Sequence, residues 1–295
     1  NAGVNLEQLG ISFGYARDLM DNLSVGASFL IGYQTIEIKG VGAFQGFTQT
    51  FTQSMIQSGT TQGRSPANLT DNGKDSAWGY GFQVGALWDV NPMLSLGLSY
   101  RTKMYMGKFD KYSDLFAQGG GFDIPSSIKG GVSFLASDAL RINVDIEHTA
   151  FGEVDSIGNP MSNLFGCSLL PLGGTSAEPC LGGDQGAGFG WEDMTVYRVG
   201  AQWDAGNDWT WRVGFSHGKQ PIPETEMVFN ILAPGVIEDH LTFGFTRKLS
   251  SGDEFNFSFM HGFNKKVTGP NTLDPTQNIS FEMNQWELEI SYGWR

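Results

Sequence analysis

Apolar side chains recur at every second position along most of the chain. Between Ser76 and Lys108, Trp78, Tyr80, Phe82, Val84, Ala86 and Trp88 alternate with Gly79, Gly81, Gln83, Gly85 and Leu87. Leu94, Leu96, Leu98, Tyr100, Thr102 and Met104 then alternate with Ser95, Gly97, Ser99, Arg101 and Lys103. A period of two marks a β-strand, whose successive side chains point to opposite faces. The intervening Asp89-Val90-Asn91-Pro92 is turn chemistry, so the stretch predicts a hairpin. One face is bulky and aromatic, while the other is Gly, Ser and a few charges. A soluble sandwich would show Lys and Glu to water and bury its rings. Small polar residues facing the inside of a wide barrel, with rings facing out, is the pattern of a transmembrane β-barrel.

The same alternation predicts about eleven strands. Leu9, Ile11, Phe13 and Tyr15 lead through a turn at 17–22 into Leu23, Val25, Ala27, Phe29, Ile31 and Tyr33. Ile128, Val132 and Phe134 turn at Ala136–Ala139 into Leu140, Ile142, Val144 and Ile146. Tyr197, Val199, Ala201 and Trp203 turn at Asp204–Asp208 into Trp209, Trp211, Val213 and Phe215. Leu241, Phe243 and Phe245 turn at Ser250–Asp253 into Phe255, Phe257 and Phe259, and Trp286, Leu288, Ile290, Tyr292 and Trp294 close the chain. Long inserts, about 39–75, 107–125, 152–192, 218–237 and 265–284, alternate with the short turns. Outer-membrane barrels have this alternation, with short periplasmic turns and long extracellular loops. The expected architecture is therefore a single all-β domain over 1–295, a transmembrane antiparallel barrel in the bacterial outer membrane.

Composition agrees. Charged residues make up only 17% of the 295, while Gly (41) and aromatics (13%) are abundant. No run approaches the roughly 18 consecutive apolar residues of a spanning helix, so any crossing must be made by strands closed into a barrel. A net charge of −13 offers no footprint for nucleic acid. Trp88, Trp203, Trp209, Trp211 and Trp294 fall at strand ends beside short turns or the C-terminus, and Trp78, Trp191 and Trp286 at ends facing long inserts. These are the two interfacial girdles that amphipathic rings prefer. Cys167 and Cys180 share one insert and are expected to form a disulfide in an oxidising compartment.

Parity carries a further expectation. The last strand follows a long loop and ends on the periplasmic side, so the first of eleven starts on the extracellular side. Bacterial single-chain barrels have even strand numbers, which calls for an odd number of additional N-terminal strands and, for export, a signal peptide.

The blocks GYGFQVGALWDVNPMLSLGLSYRTKM, IPSSIKGGVSFLASDALRINVDIEHTAF, VYRVGAQWDAGNDWTWRVGFSHGKQPIPE and IEDHLTFGFTRKLSSGDEFNFSFMHGF, in that order, resemble the long-chain fatty acid transporter family of outer-membrane proteins, the FadL and TodX type. The resemblance runs from Trp78 onward. It implies the C-terminal part of a barrel of about fourteen strands, plugged by an N-terminal hatch. It also implies passive inward transport of long-chain fatty acids or aromatic hydrocarbons, with lateral exit through the wall. Eleven of about fourteen strands by this count leaves the hatch and about three first strands expected outside the sequence, so no hatch residue carries over. The implied partners are a hydrophobic small molecule and outer-membrane lipid with lipopolysaccharide, and the expected state is a monomer.

A conduit for amphiphiles needs an apolar path and a cation for the headgroup. Parity turns Arg101, Lys103, Lys129, Arg141, Arg198 and Arg212 into the lumen, with Arg101 and Lys103 nearest the extracellular end. The competing use of these cations is to pair with the lumen carboxylates Asp145, Glu147, Glu287 and Glu289 and brace the wall. Gly10–Gly14 and Gly214–Gly218 both match G-x-S-x-G, but they lie within alternating strands rather than at a strand-to-helix turn, so no catalytic residue is expected. His148, His217, His240 and His261 have no metal-ligand spacing, and neither a metal nor a cofactor is expected. The acidic stretch around Asp71 and Asp75 lacks the rest of a calcium loop, and the Gly182–Gly190 run precedes no helix that could cradle phosphate. The second reading is a structural or receptor barrel, such as an adhesin, working through its loops.

Overall fold

A computed structural model of the chain describes residues 2–167 and 176–294. In chain order the strands are β1 (Gly3–Met20), β2 (Leu23–Lys39), β3 (Asp75–Asn91), β4 (Leu94–Arg101), β5 (Tyr105–Met106), β6 (Ser127–Ser137), β7 (Leu140–Thr149), β8 (Met194–Gly206), β9 (Trp209–Gly218), β10 (Asp239–Lys248), β11 (Glu254–Pro270) and β12 (Asn278–Gly293). Eleven of them form one antiparallel sheet in sequence order, the two-residue β5 pairs with β3, and the sheet is open between β1 and β12. No helix among the described residues is long and apolar enough to cross a membrane, and the crossing falls to strands.

The faces are those that alternation dictates. Tyr33 packs on Trp78 (4.7 Å between ring centroids) and Phe29 on Phe82 (5.3 Å) along the outer face. These rings stay exposed, Trp78 at 60% and Phe82 at 51%, as a lipid-facing surface must be when only protein is counted. On the inner face Gly26 pairs with Gly85, Gly85 with Ser99, and Ser99 with Lys129, so the middle of the inner wall is smooth and polar.

Four of the short turns are tighter than the sequence suggests. Strands run on to Met20, Asn91, Ser137 and Gly206, leaving two-residue connections. At the last of these Asn207 and Asp208 both have positive φ (50° and 67°), the geometry that lets a two-residue turn follow the right-handed twist of its strands.

At the other end the alternation breaks twice. β4 stops at Arg101 rather than running to Met104. On β3 the partner of Arg101 is Gln83, yet the partner of Tyr105 is Tyr80, so one extra residue is accommodated between them. Such a bulge reverses which face later side chains take. A second register shift, between Gly262 and Lys265, lets β11 and β12 continue pairing to Pro270 and Asn278. The last connection is therefore 271–277, much shorter than the 265–284 read from parity, because the shift puts the continuing strand out of phase.

The long inserts contain helix that their polar composition hides. The largest is α1 (Gln49–Ser58), capped at its start by Thr48, whose hydroxyl accepts the Phe51 N–H (3.3 Å), and at its end by Gly59 at φ 66°. At the base of the same insert the Asp71 carboxylate accepts from the Thr70 hydroxyl and the Gly40 N–H, which hold its pKa below the ordinary carboxylate range.

The apolar core lies inside the mouth at the long-loop end, not in the middle of the sheet. The inserts contribute Phe109, Tyr112, Phe116, Ile157, Met161, Leu164 and Leu181, all nearly or fully buried. The wall contributes Ile36 and Ile38, whose inward positions lower on β2 are held by Ser28 and Gly32. Tyr112 fixes the seam: its hydroxyl accepts the Ile38 N–H (3.0 Å) and donates to the Gly73 carbonyl (2.7 Å). The inserts thus fold back as a cap on the lumen.

Candidate functional site

Under the cap is an apolar cavity of about 550 Å³. Val4, Leu6, Ile36 and Ile38 form its wall side, where the inward positions of β1 and β2 turn from polar to aliphatic. Phe116, Phe122, Ile157, Leu181, Phe189 and Phe229 form its cap side, drawn from three different inserts. Phe116 and Phe122 pack with tilted rings at 4.9 Å, and Phe229 meets Phe44 edge-on at 5.1 Å. The volume falls within the roughly 300–1,000 Å³ of small-molecule sites.

Two charged residues reach this wall, Arg101 and Asp123. Asp123 is fully engaged: one oxygen accepts the Met106 N–H (2.7 Å) and the other faces Lys103 Nζ (3.5 Å). Arg101 is not. One terminal nitrogen donates to the Pro125 carbonyl (3.2 Å), while its buried Nε has no partner among the described residues. An unmet buried donor costs about 1–3 kcal/mol, more when charged.

Two features hold the cap side in place. The Cys167–Cys180 disulfide forms (S–S 2.08 Å) and packs on α1, with Thr52 Oγ1 3.5 Å from Cys167 Sγ. Beside it Leu181 bonds through its backbone to the turn before α1: its N–H to Phe47 (2.9 Å) and its carbonyl from the Gln49 N–H (2.8 Å). The second is Asn230, fully buried, which accepts Trp191 Nε1–H (2.6 Å) and donates to the Phe189 and Glu226 carbonyls (2.7 and 2.8 Å). It ties the Met227–Asn230 helical turn to the insert that carries Phe189. Asn230→Leu would strand the indole N–H and the Phe189 carbonyl. We expect it to loosen the cap by about 2–3 kcal/mol, read as faster amide exchange at 227–232 with the sheet unchanged.

The wall is broken next to this cavity. The β4–β6 ladder ends at Arg101 opposite Ser127 and resumes only as a bridge between Met104 and Ile124. Between them Thr102 turns to β3, its N–H on the Phe82 carbonyl (2.9 Å), while the Ser126 carbonyl turns the other way to accept the Ala150 N–H (3.1 Å). Pro125 has no N–H to offer. Side chains span the gap, Arg101 to Pro125 and Lys103 to Asp123, and Glu153 bridges it too, its carbonyl accepting from Lys103 Nζ (3.3 Å) and its carboxylate from the Ser126 N–H.

The sequence profile of the outer membrane protein transport proteins (OMPP1/FadL/TodX) matches residues 2–286. The chain belongs to this family. This outer-membrane transport protein has the fold of the Pseudomonas putida toluene transporter TodX, with a TM-score of 0.60 at 16% identity over 98% of this chain and 69% of that one. It is similar also to the Ralstonia pickettii toluene transporter TbuX (0.57, 17% identity, 99% and 68%). A Pseudomonas aeruginosa FadL homologue scores 0.64 at 14% identity, over 99% and 68%. At these identities the likeness is one of fold. No curated protein matches the chain in sequence.

In this family member the six expected lumen cations part company. Arg101 alone lines the cavity. Lys103 is carried by the bulge to the outward rings, its Nζ 5.4 Å from the Tyr105 centroid, rather than into the lumen. Lys129 and Arg198 meet on Glu147 (3.3 and 2.8 Å). Arg141 donates to Ser133 (3.0 Å), and Arg212 to Gln202 and Thr246 (2.9 and 2.8 Å). These four lie on the inner wall away from the cavity. Trp78, Trp88, Trp203, Trp286 and Trp294 stand exposed on the outer face, and Trp209 and Trp211 stack there at 5.3 Å. Trp191 is the exception to the girdle. It turns into the cap, edge-on to Phe151 at 5.1 Å, because it lies in irregular chain before β8 where alternation no longer fixes direction.

The cap residues themselves escaped the sequence reading. Phe116 and Phe122 flank a Gly-rich segment, and the apolar run Met227-Val228-Phe229-Asn230-Ile231-Leu232 sits in an insert otherwise rich in Pro and Glu. That run was the available signal, since a solvated loop has no use for it.

Proposed function

We propose that this protein carries hydrophobic molecules across the outer membrane by passive diffusion, with the capped cavity as capture site and the break between β4 and β6 as the exit toward lipid. The observation that carries the reading is the cavity itself: about 550 Å³ walled by aliphatic and aromatic side chains, with Arg101 as the one cation on its wall among the described residues. An apolar solute gains by leaving water there, at roughly 25 cal/mol per Å² buried. Below the cavity the inner wall is largely Gly, Ser and hydrogen-bonded charged side chains, which offers such a solute no further gain. The gap beside Arg101 is the shorter way out. The toluene transporters of similar fold, and the family's transport description, support the class of solute.

The positive guanidinium of Arg101 on the cavity wall favours an amphiphile with an anionic head, such as a long-chain fatty acid, over a bare aromatic hydrocarbon. The test is uptake into liposomes of a labelled fatty acid and, in parallel, of toluene, by the wild type and Arg101→Gln. Losing one charge-assisted hydrogen bond of about 1.5–3 kcal/mol should slow carboxylate capture at least about tenfold and leave toluene uptake close to wild type. Equal loss for both solutes would assign Arg101 to the wall, and no loss for either would remove the headgroup role. Loops that fold inward to enclose a cavity are the reason for preferring transport over a receptor that works through its loops.

A further inference from the structure

At the short-turn rim one charged side chain stands among lipid-facing rings. Trp209, Trp211, Phe243, Phe245, Phe255 and Phe257 form a continuous slab across β9, β10 and β11, with neighbouring centroids 5.2–6.0 Å apart. Arg247 follows Phe243 and Phe245 on the same face of β10 and is the last outward residue of that strand, opposite Trp209 and Phe255. Its guanidinium carbon lies 5.1 Å from the Trp209 ring centroid. Among the described residues no carboxylate comes within ion-pair distance of it, and the neighbouring Asp253 turns to the Tyr292 hydroxyl (2.6 Å).

An arginine held over a ring, exposed and with no carboxylate partner among the described residues, is placed to take an anion from outside the chain. Short turns of bacterial barrels face the periplasm, so this rim meets the headgroups of the inner leaflet. We propose that Arg247 and the aromatic slab form a site for one anionic glycerophospholipid of that leaflet. The phosphate would take the guanidinium through paired N–H donors, which suit phosphate oxygens, while an acyl chain lies along the rings. A zwitterionic lipid fits less well, because its own ammonium competes for the phosphate.

The test is native mass spectrometry of the full chain taken from micelles with equal phosphatidylglycerol and phosphatidylcholine. Wild type should retain phosphatidylglycerol about fivefold over phosphatidylcholine, the worth of one cation at an anionic surface. Arg247→Gln should bring the ratio to parity and Arg247→Lys should keep part of it. Lys248→Gln, on the opposite face of the strand, should leave the preference intact. Equal retention by the wild type, or a preference that survives Arg247→Gln, would overturn the site. Should Arg247→Gln fail to fold, as shown by loss of heat-modifiable migration, salt decides. A wild-type preference undiminished at about 1 M salt, where the screening length is near 3 Å, would equally overturn it.

Discussion

Ile157→Asp is expected to abolish capture of apolar solutes while leaving the membrane-spanning sheet folded. Ile157 is 6% exposed and lines the cavity. It belongs to the cap and makes no strand contact that the sheet depends on, since its backbone serves the turn at Val154 and the Trp191 N–H. A carboxylate there either stays ionised, drawing water into the cavity, or takes up a proton. In both states an arriving hydrocarbon must displace a solvated polar group. With an unpaired polar group costing several kcal/mol, capture should fall by about a hundredfold or more. Ile157→Leu keeps volume and polarity and should cost less than about 1.5 kcal/mol. Uptake of a labelled hydrophobe into liposomes, with heat-modifiable migration as the check on folding, reads the result. Near-wild-type uptake by the Asp variant would show that solutes bypass the cavity.

The second large effect is on the cap. Removing the disulfide with Cys167→Ser and Cys180→Ser should destabilise the cap by about 3 kcal/mol, the chain-entropy value for a closed loop of this length, 13 residues apart in sequence. The consequence is local. Leu181 is 1% exposed, its backbone is bridged to the segment ahead of α1, and the bridge lies one residue from Cys180. Limited proteolysis with thermolysin should cut the cap of the double variant at least tenfold faster, with the strands protected in both forms. Affinity for a labelled hydrophobe should fall in parallel, since Leu181 forms part of the cavity. Equal cleavage rates would mean that the Thr52, Phe47 and Gln49 contacts hold the cap unaided.

The two variants address different levels of one arrangement. Ile157→Asp alters the surface that a solute touches, and the disulfide variant alters whether that surface is assembled. Asn230→Leu acts between them, at the polar clamp under Phe229. If the cavity is the capture site, all three weaken uptake, while Arg101→Gln separates solutes by their headgroups.

What could be read from residues alone was the wall. Trp78, Phe82, Leu98 and Val144 face outward because a strand has a period of two and a lipid surface admits only apolar side chains, and both constraints are local. The same reasoning located the hairpins, though it made four of their turns too long, and it placed the two cysteines in one loop. Alternation could not see past a bulge. One added residue near Thr102 sends Lys103 outward and opens the ladder beside Arg101, and one near Phe263 hides the end of β11. Bulges are settled by what the neighbouring strand does, not by the residues that form them. The cavity belonged wholly to the tertiary structure. Phe116, Ile157, Leu181 and Phe229 are far apart in sequence, each in an insert whose composition is polar, and only their convergence over Ile36 and Ile38 makes a dry space. Arg101 shows both sides. Strand parity placed it on the inner face, but its setting depends on the Pro125 carbonyl at the end of the following insert, which takes one terminal nitrogen and leaves Nε without a partner among the described residues, an arrangement that exists only once the chain has folded.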